Sequence, residues 1–566
     1  MADKSKIISW LPVIIIMLVV ASISLNFHFS GNYVLAGVDG PYYPLQVRSM
    51  MEHFHLGLPD MPLLFIFEGL IAKFFLLLQL GTSEECILFA VKLVDILIPP
   101  LAAIPVFLLS KELRPNKKRV YFLSYLIVGY SVLNFTTILK FANNFQKNAV
   151  AVVLIFFYLY YIFRILKYSK RRDVYYLFLV LLACVLTHFG SASILLFITG
   201  TIFLSYLGYN KKLFQRVNFK SITILFAPLF LILSTVAIFD SNRFDRLLYL
   251  PFKVFESPVL LMIFDGQEIA RYLNPINFIA PNLLAIIALI IFIVYRKTMD
   301  KHVKVFGFGL LISAFLLASP LIGIEWASRF YMMSYIPIVG IYLIFFNTVK
   351  SKWILVFPVF IFSILICIPL ILGFKSPMLQ SISNDAYLEF KQIRNKIIFS
   401  KNTAIVARQD LRILGSWEFR TKGIANYLLT KNQFKKYDDV YFLQQTNGIN
   451  YTQETPGSIL KIPADSHKVF HGDYFELYKV NSIDFIDYEP LKVSQAQGII
   501  VNIIGDSFIV KNKKTGKTRT VTITKDTHFR LINKFKKISK GMLVEIWGEG
   551  RPFSLTLEAQ TIIEIK

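Results

Sequence analysis

A series of long apolar runs fills the first two-thirds of this chain. A helix needs about 20 residues to cross a bilayer core of about 30 Å. Twelve runs approach or exceed that length, at about residues 8–28, 62–80, 86–110, 119–139, 147–166, 173–188, 190–209, 219–239, 276–296, 303–321, 328–347 and 352–374. Only 17% of the residues are charged, whereas soluble domains contain about 25%. The runs therefore predict a polytopic α-helical membrane protein.

Lysine and arginine cluster in every second loop between these runs. The basic loops lie near residues 111–119, 164–172, 211–220, 296–304 and 350–352. Because cytoplasmic loops retain basic residues, we place these five loops on the cytoplasmic side of the membrane. Because the basic residues cluster in short loops between the apolar runs, the net charge of +25 does not point to a nucleic-acid partner, and we expect none.

The N-terminus indicates an odd number of crossings. Lys4 and Lys6 precede the first run, which lacks a small-residue cleavage site and is interpreted as a retained signal anchor. These two lysines share the cytoplasmic side with the basic loops only if one run before residue 110 does not cross. The run 62–80 is the best candidate, because Glu68 and Lys73 would each cost about 2.5–3.5 kcal/mol in a crossing helix.

We therefore predict about eleven crossings in residues 1–375, with a cytoplasmic N-terminus and an extracytoplasmic C-terminus. Residues 29–85 would form one long outer loop with interfacial helices. The run 86–110 also contains charges, Lys92 and Asp95, which stand one helical turn apart and are expected to neutralise each other.

Four polar segments fall on the predicted outer face. They are, in chain order, Gly37-Val-Asp39-Gly-Pro, Lys140-Phe-Ala-Asn-Asn-Phe-Gln-Lys147, Leu186-Thr-His188 and Ile324-Glu325-Trp-Ala-Ser-Arg329. Each also has an ordinary structural interpretation. In the same order, Asp-Gly-Pro is common in turns, lysines at a helix end can extend towards water, a lone histidine often forms structural hydrogen bonds, and an acid and a base at i, i+4 form an ion pair.

In their order and common sidedness, these segments resemble the GT-C superfamily of membrane glycosyltransferases. That superfamily includes oligosaccharyltransferase catalytic subunits, protein O-mannosyltransferases and aminoarabinose transferases. The resemblance covers about residues 1–375 and also rests on Pro99-Pro-Leu-Ala-Ala-Ile-Pro, which closes the second crossing.

The resemblance implies a catalytic role for Asp39, as a base towards an acceptor hydroxyl or as a ligand of a divalent cation such as Mg²⁺ or Mn²⁺. The donor would be a sugar on a polyprenyl phosphate or pyrophosphate, and the acceptor a glycan, a lipid or a protein. A departing phosphate needs cations to hold its developing charge. We expect Lys147, Arg329, Arg243 and Arg246 to bind the substrate in this way. We expect His188 to bind the substrate as well.

The sequence departs from the superfamily in two respects. Many relatives carry a second acid beside the first, whereas Val38 and Gly40 flank Asp39 here. The second acid would have to be Asp60 or Glu68, and the sequence does not decide between them. The C-terminal part also lacks a Trp-Trp-Asp-type motif for binding Asn-x-Ser/Thr acceptors. These departures argue against oligosaccharyl transfer to protein, and the first weakens the expectation of a metal.

The last third has the composition of a soluble region. Residues 376–490 alternate helical and strand-like segments and predict a small extracytoplasmic α/β domain. Residues 491–566 alternate short strands with glycine-containing turns and predict a small OB-like β-barrel. Its lysines and aromatic residues would suit acceptor handling or attachment to the cell envelope.

Other functions compete with glycosyl transfer. A glycan polymerase or ligase would use the same kind of lipid-linked donor at the same face. A transporter or flippase of lipid-linked glycans should carry charges near the middle of the bilayer and repeated halves, and the sequence shows no repeat. A noncatalytic envelope scaffold is the third alternative, because Asp39 lacks an acidic neighbour.

Overall fold

A computed structural model gives the fold of this protein over most of its length. It describes residues 4–29, 40–113, 121–134, 136–137, 145–209, 234–235, 237–238, 254–255, 258–260, 275–349, 351–375, 382–400, 402–407, 409–425, 436–446, 462, 466–481, 494–512, 518–530, 538–549 and 556–564.

The first two-thirds of the chain are mainly helical over the residues that the structure describes. The helices, numbered in chain order, are α1 Lys4–Phe29, α2 Tyr42–His53, α3 Leu63–Leu77, α4 Ser83–Leu97, α5 Ala103–Glu112, α6 Tyr121–Leu133, α7 Gln146–Tyr168, α8 Arg171–Thr187, α9 Phe189–Tyr209, α10 Pro275–Tyr295, α11 Lys301–Leu317, α12 Ile324–Met333, α13 Tyr335–Thr348 and α14 Lys352–Lys375. A 3-10 turn at Pro99–Ala102 joins α4 to α5, because two consecutive prolines cannot continue the backbone hydrogen bonds of an α-helix.

Seven helical segments of the described chain are long and apolar enough to cross a bilayer. They are Ile8–Phe29, Ser83–Glu112, Gln146–Tyr168, Phe189–Tyr209, Phe278–Thr298, Trp326–Thr348 and Trp353–Leu372. This confirms a membrane protein. Three further predicted crossings correspond to the shorter helices α6, α8 and α11, and the run 219–239 lies almost wholly outside the described residues. The count of eleven and the orientation of the termini therefore stay predictions.

The predicted outer loop contains two short helices, α2 and α3. α3 begins after Pro62 and has 15 residues, fewer than the roughly 20 that a crossing requires. α4 then begins at a capping box, in which Thr82 and Glu85 satisfy each other's backbone N–H groups. That the segment 62–80 does not cross stays a prediction.

A charge cluster joins α5, α7 and α8 at the ends predicted to face the cytoplasm. Arg164 donates to Glu112 Oε1 at 2.8 Å and to Asp173 Oδ1 at 3.0 Å. Lys167 donates to the backbone carbonyl of Glu112 at 2.6 Å. The basic loops are thus partly neutralised by local acids, and the C-terminal end of α7 is held in place.

The α/β region contains one five-stranded sheet of order β2-β1-β3-β5-β4. β1 pairs in parallel with β2 and β3, and β5 pairs antiparallel with β3 and β4. The two helices α15 Asn384–Lys396 and α16 Gln409–Phe419 accompany the strands β1 Thr403–Ala407, β2 Lys422–Ala425, β3 Asp439–Gln445, β4 His467–His471 and β5 Phe475–Asn481. One hydrophobic core packs Phe390 of α15 against Phe419 of α16 and Phe475 of β5.

The remaining strands close into a five-stranded barrel of order β10-β8-β7-β6-β9. They are β6 Ser494–Ile504, β7 Ser507–Lys511, β8 Thr518–Arg530, β9 Leu543–Glu549 and β10 Thr556–Glu564. The contact of β10 with β8 is parallel and the other pairings are antiparallel. This connectivity is that of an OB-like barrel, whose interior is filled by Ile500, Phe508, Val521, Val544, Ile546 and Ile562.

By its internal packing the chain divides into two compact units. One comprises Met1–Gly31 and Gln46–Met378, and the other Asn32–Leu45 and Leu379–Lys566. The division into 1–375, 376–490 and 491–566 stays a prediction, although the sheet and the barrel each have a hydrophobic core of their own.

Candidate functional site

Three of the predicted site residues lie outside the described residues. Asp39, Arg243 and Arg246 all fall there. Their roles therefore stay predictions. The structure does describe Lys147, His188 and Arg329.

Lys147 lies in the first turn of α7 and forms an ion pair with Asp60. The Asp60 side chain is fully buried and that of Lys147 is 11% exposed. Asp60 Oδ1 also accepts the backbone N–H of Met61 at 2.8 Å. A cation at a helix N-terminus opposes the helix dipole, so a buried carboxylate partner is what stabilises Lys147 at this position.

The residue before Lys147 connects α7 to two further helices. Gln146 Nε2 donates to Glu68 Oε1 of α3 at 2.7 Å and to the Val91 carbonyl oxygen of α4 at 3.0 Å. Glu68 is completely buried. Burial raises the pKa of its carboxyl well above the ordinary value, the nearby Asp95 raises it further, and the bond from Gln146 lowers it only in part.

A third buried polar group lies at the end of α1. His28 Nε2 is 2.9 Å from Asp95 Oδ2, and the Lys92 ammonium donates to the His28 carbonyl oxygen at 3.0 Å. Lys92 also lies 5.1 Å from the centre of the Phe29 ring. The expected local neutralisation of Lys92 and Asp95 is thus replaced by contacts of both residues with α1.

These contacts form one buried polar belt, which we define as His28, Asp60, Glu68, Lys92, Asp95, Gln146 and Lys147. Charged side chains inside membrane proteins are costly and are retained mainly for function or for essential structure. Because His28 is the penultimate residue of α1, the belt lies level with a helix end. The predicted topology places that end at the outer face.

Sequence reasoning overlooked His28 as a member of this belt. It stands in the last turn of the first apolar run, and its partners Lys92 and Asp95 are more than 60 positions away. The available signal was the presence of Lys92 and Asp95 within an apolar run, since buried charges need partners.

The described residues do not assemble a binding site for a divalent cation. No group of three or more His, Cys, Asp or Glu side chains is placed to hold a metal ion within the described part of the chain. Asp60 is paired with Lys147, and Glu68 accepts a hydrogen bond from Gln146. Asp39, the predicted ligand of a divalent cation, lies outside the described residues, so the metal stays a prediction.

His188 lies at the break between α8 and α9, where it caps α9. The backbone N–H of Ser191 donates to His188 Nδ1 at 3.1 Å, and the Ser191 hydroxyl lies 2.9 Å from the same nitrogen. His188 itself has extended backbone angles, as residues at the N-cap of a helix do. The histidine therefore caps α9, and its role in substrate binding stays a prediction.

Arg329 is exposed on α12, and its guanidinium carbon lies 5.6 Å from the centre of the Trp326 ring. The side chain of Glu325, the predicted partner, is not among the described ones. The segment before α12 is held by a β-bridge between Pro258 and Gly323 and by the bond from Val259 N–H to the Ile322 carbonyl. A short extended segment thus fixes the start of the helix that carries Arg329.

Neither protein-family models nor curated protein sequences yield a match to this chain. Among solved structures, the chain is similar to the crystal structure of the Archaeoglobus fulgidus oligosaccharyltransferase in complex with Zn and sulfate, with a TM-score of 0.40 and 14% sequence identity. The similarity covers 75% of this chain and 67% of the archaeal chain. At this TM-score and identity, it does not define which residues act or on which substrate.

Proposed function

We propose that this protein is a membrane glycosyltransferase that moves a sugar from a polyprenyl-phosphate-linked donor to an acceptor at the non-cytoplasmic face. The observation that carries the proposal is the position of Lys147. It lies at the mouth of an apolar helix, among buried polar groups, where the sequence resemblance expects a cation for the donor phosphate.

The reaction needs a proton acceptor and a set of cations. In the proposed mechanism, Asp39 accepts the proton of the acceptor hydroxyl while the hydroxyl oxygen attacks the anomeric carbon. The bond from that carbon to the phosphate oxygen breaks, and the phosphate leaves with the electron pair. Cations stabilise the charge that develops on the phosphate.

We assign that task to Lys147 and Arg329, with Arg243 and Arg246 as further candidates from the sequence. The ion pair with Asp60 fixes the Lys147 ammonium before the donor binds, so that little reorganisation is required when negative charge develops nearby. The Arg329 side chain is exposed beside Trp326, and a guanidinium has the fork geometry that suits phosphate oxygens.

The sequence disfavours the transporter alternative. A transporter is expected to be built from repeated halves, and no repeat is evident in this sequence. A glycan polymerase or ligase would use the same cations and remains the nearest alternative in chemistry.

The proposal is tested in the source organism by deleting the gene and analysing lipid-linked sugars by mass spectrometry. We expect one polyprenyl-linked sugar to accumulate and one glycosylated product to disappear. Wild-type protein should reverse both changes, whereas Asp39→Asn, expressed at the same level, should reverse neither. Unchanged lipid-linked sugars and glycans in the deletion strain would contradict the proposal.

A further inference from the structure

Glu68 is an ionisable residue whose surroundings provide few hydrogen-bond donors to stabilise a negative charge. Its side chain is completely buried, and Gln146 is the only hydrogen-bond donor found for it among the described residues. That donor also serves the Val91 carbonyl oxygen. A buried carboxylate is stable only when it is paired or receives several hydrogen bonds.

The charged groups around Glu68 do not supply the missing countercharge. Asp95 of α4 is the charged residue that acts on Glu68, and its effect is unfavourable to a second negative charge. Lys92 is engaged with the His28 carbonyl oxygen, and Lys147 is engaged with Asp60.

The other elements beside α3 add no countercharge to Glu68 either. α2 approaches α3 where Met51 lies near Gly69, and it carries Arg48, Glu52 and His53. α8 also packs on α3, but its charged residues Arg171, Arg172 and Asp173 lie in its first turn. On α3 itself, Lys73 lies over the Phe54 ring.

Besides His28 Nε2, whose one close polar contact is Asp95, three buried polar atoms of the cluster have no hydrogen-bond partner among the described residues. They are Glu68 Oε2, Asp95 Oδ1 and His28 Nδ1. Two of them are acceptors on carboxyl groups that interact with each other. Leaving such atoms unsatisfied costs about 1–3 kcal/mol each, and more when they are charged. The two carboxyl groups therefore lack a countercharge and a hydrogen-bond donor. A proton bound to one of them supplies both.

We propose that Glu68, Asp95 and His28 form a buried proton-binding site that is occupied at neutral pH and holds α3 against α4 and α7. The proton comes from the aqueous phase and resides on the Glu68 carboxyl. In this state Glu68 accepts the bond from Gln146 without placing a second negative charge beside Asp95. Loss of the proton leaves two buried carboxylates close together and weakens the attachment of α3. This inference does not depend on the proposed glycosyl transfer.

The sign of the pH dependence follows from the raised pKa of Glu68. An unfolded glutamate ionises near pH 4.3, whereas the folded protein keeps this carboxyl protonated to a higher pH. Above about pH 4.3 the unfolded state therefore binds fewer protons than the folded state, and stability falls as the pH rises until the folded group also ionises.

The test is the thermal unfolding midpoint of the purified full-length protein in lipid nanodiscs between about pH 5 and about pH 9. Glu68→Gln keeps the acceptor oxygen and mimics the neutral acid. We expect the midpoint of the wild type to decrease with pH, and the decrease to be smaller in Glu68→Gln. Glu52→Gln, which changes an exposed carboxyl of the same outer segment, should follow the wild type.

Two outcomes would overturn the proposal. One is a Glu68→Gln protein with the full pH dependence of the wild type. The other is failure of Glu68→Gln to fold while Glu52→Gln folds, because a neutral isostere should preserve the contact with Gln146.

Infrared spectroscopy provides the second measurement. The wild type at neutral pH should show the carbonyl stretch of a protonated carboxylic acid, and this band should decrease in Glu68→Gln. Absence of that band in the wild type contradicts the proposal. If replacing sodium by choline abolished the pH-dependent stability, a metal cation would occupy the site and the proton assignment would be wrong.

Discussion

The Lys147 ammonium at the first turn of α7 is paired with the carboxylate of Asp60, two residues before α3 begins. Both side chains are almost completely removed from solvent. This pair and the adjacent contact between Gln146 and Glu68 attach the outer helix α3 to the same turn of α7.

Breaking this pair from one side should destabilise the protein strongly. Asp60→Asn leaves the Lys147 charge buried without its carboxylate, and removal of one partner of a buried pair typically costs about 3–5 kcal/mol. The double variant Asp60→Asn/Lys147→Met should lose less than the sum of the two single variants. Thermal unfolding of all three proteins measures the coupling; strictly additive losses would show that the two side chains do not depend on each other. Lys468→Met, at an exposed pair with Glu476, is the control and should change the midpoint far less.

The packing of α9 against α11 depends on one glycine. A Cβ atom added to Gly309 would lie 2.5 Å from the backbone Cα of Ile202, so Gly309→Ala should force the two helices apart. Overpacking of this kind costs about 1–3 kcal/mol. Gly200→Ala is the matched control, because a Cβ atom there meets nothing within 4 Å. Equal unfolding midpoints for the two variants would contradict the close contact.

The α/β region is secured by one buried carboxylate. Glu389 of α15 accepts backbone N–H groups from Asp473, Tyr474 and Phe475 at 2.7–3.1 Å. Glu389→Ala should leave these amides without an acceptor, at a cost of about 1–3 kcal/mol each if they stay buried. Hydrogen exchange with mass spectrometry should show faster exchange at 473–475, whereas the exposed Asp438→Asn should not change it. Unaltered protection in Glu389→Ala would disprove the role of this cap.

The capping role of His188 can be separated from a chemical one. Asparagine is a favourable N-cap residue and retains an acceptor, so His188→Asn should keep both folding and transfer activity if the histidine only caps α9. His188→Leu lacks an acceptor and should lose about 1 kcal/mol of stability. The two variants are compared by unfolding midpoint and by product formation. A stable but inactive His188→Asn would show that the imidazole has a further role at the site.

Much of the helical content of the membrane region could be predicted from the sequence, because long apolar runs report directly on helices. The structure has the 15-residue helix α3 in the run 62–80, and whether that run crosses stays a prediction. The same reasoning did not identify the partners of Lys92 and Asp95. Periodicity shows neighbours within one helix, whereas His28 meets these residues only after α1 and α4 have packed together.

The C-terminal strands show the same difference between local and long-range information. Short strands that alternate with glycine-containing turns in residues 491–566 predicted a small barrel, which the structure contains. The local pattern does not show which strands pair: Gly498 of β6 lies so close to the Lys511 carbonyl of β7 that a side chain there would clash. The parallel contact between β10 and β8 depends on closure of the barrel, which no local pattern encodes.

Purified protein shows whether Asp39 is the base of a glycosyl transfer at the outer face. Wild type, Asp39→Asn and the control Asp506→Asn would receive the polyprenyl-linked sugar that accumulates in the deletion strain, with its acceptor, and product formation would be measured at equal protein concentration. We expect transfer by the wild type and by Asp506→Asn, and a loss of at least about 100-fold for Asp39→Asn, the lower end of what a general base contributes. Transfer by Asp39→Asn at the rate of the wild type would show that Asp39 is not the base.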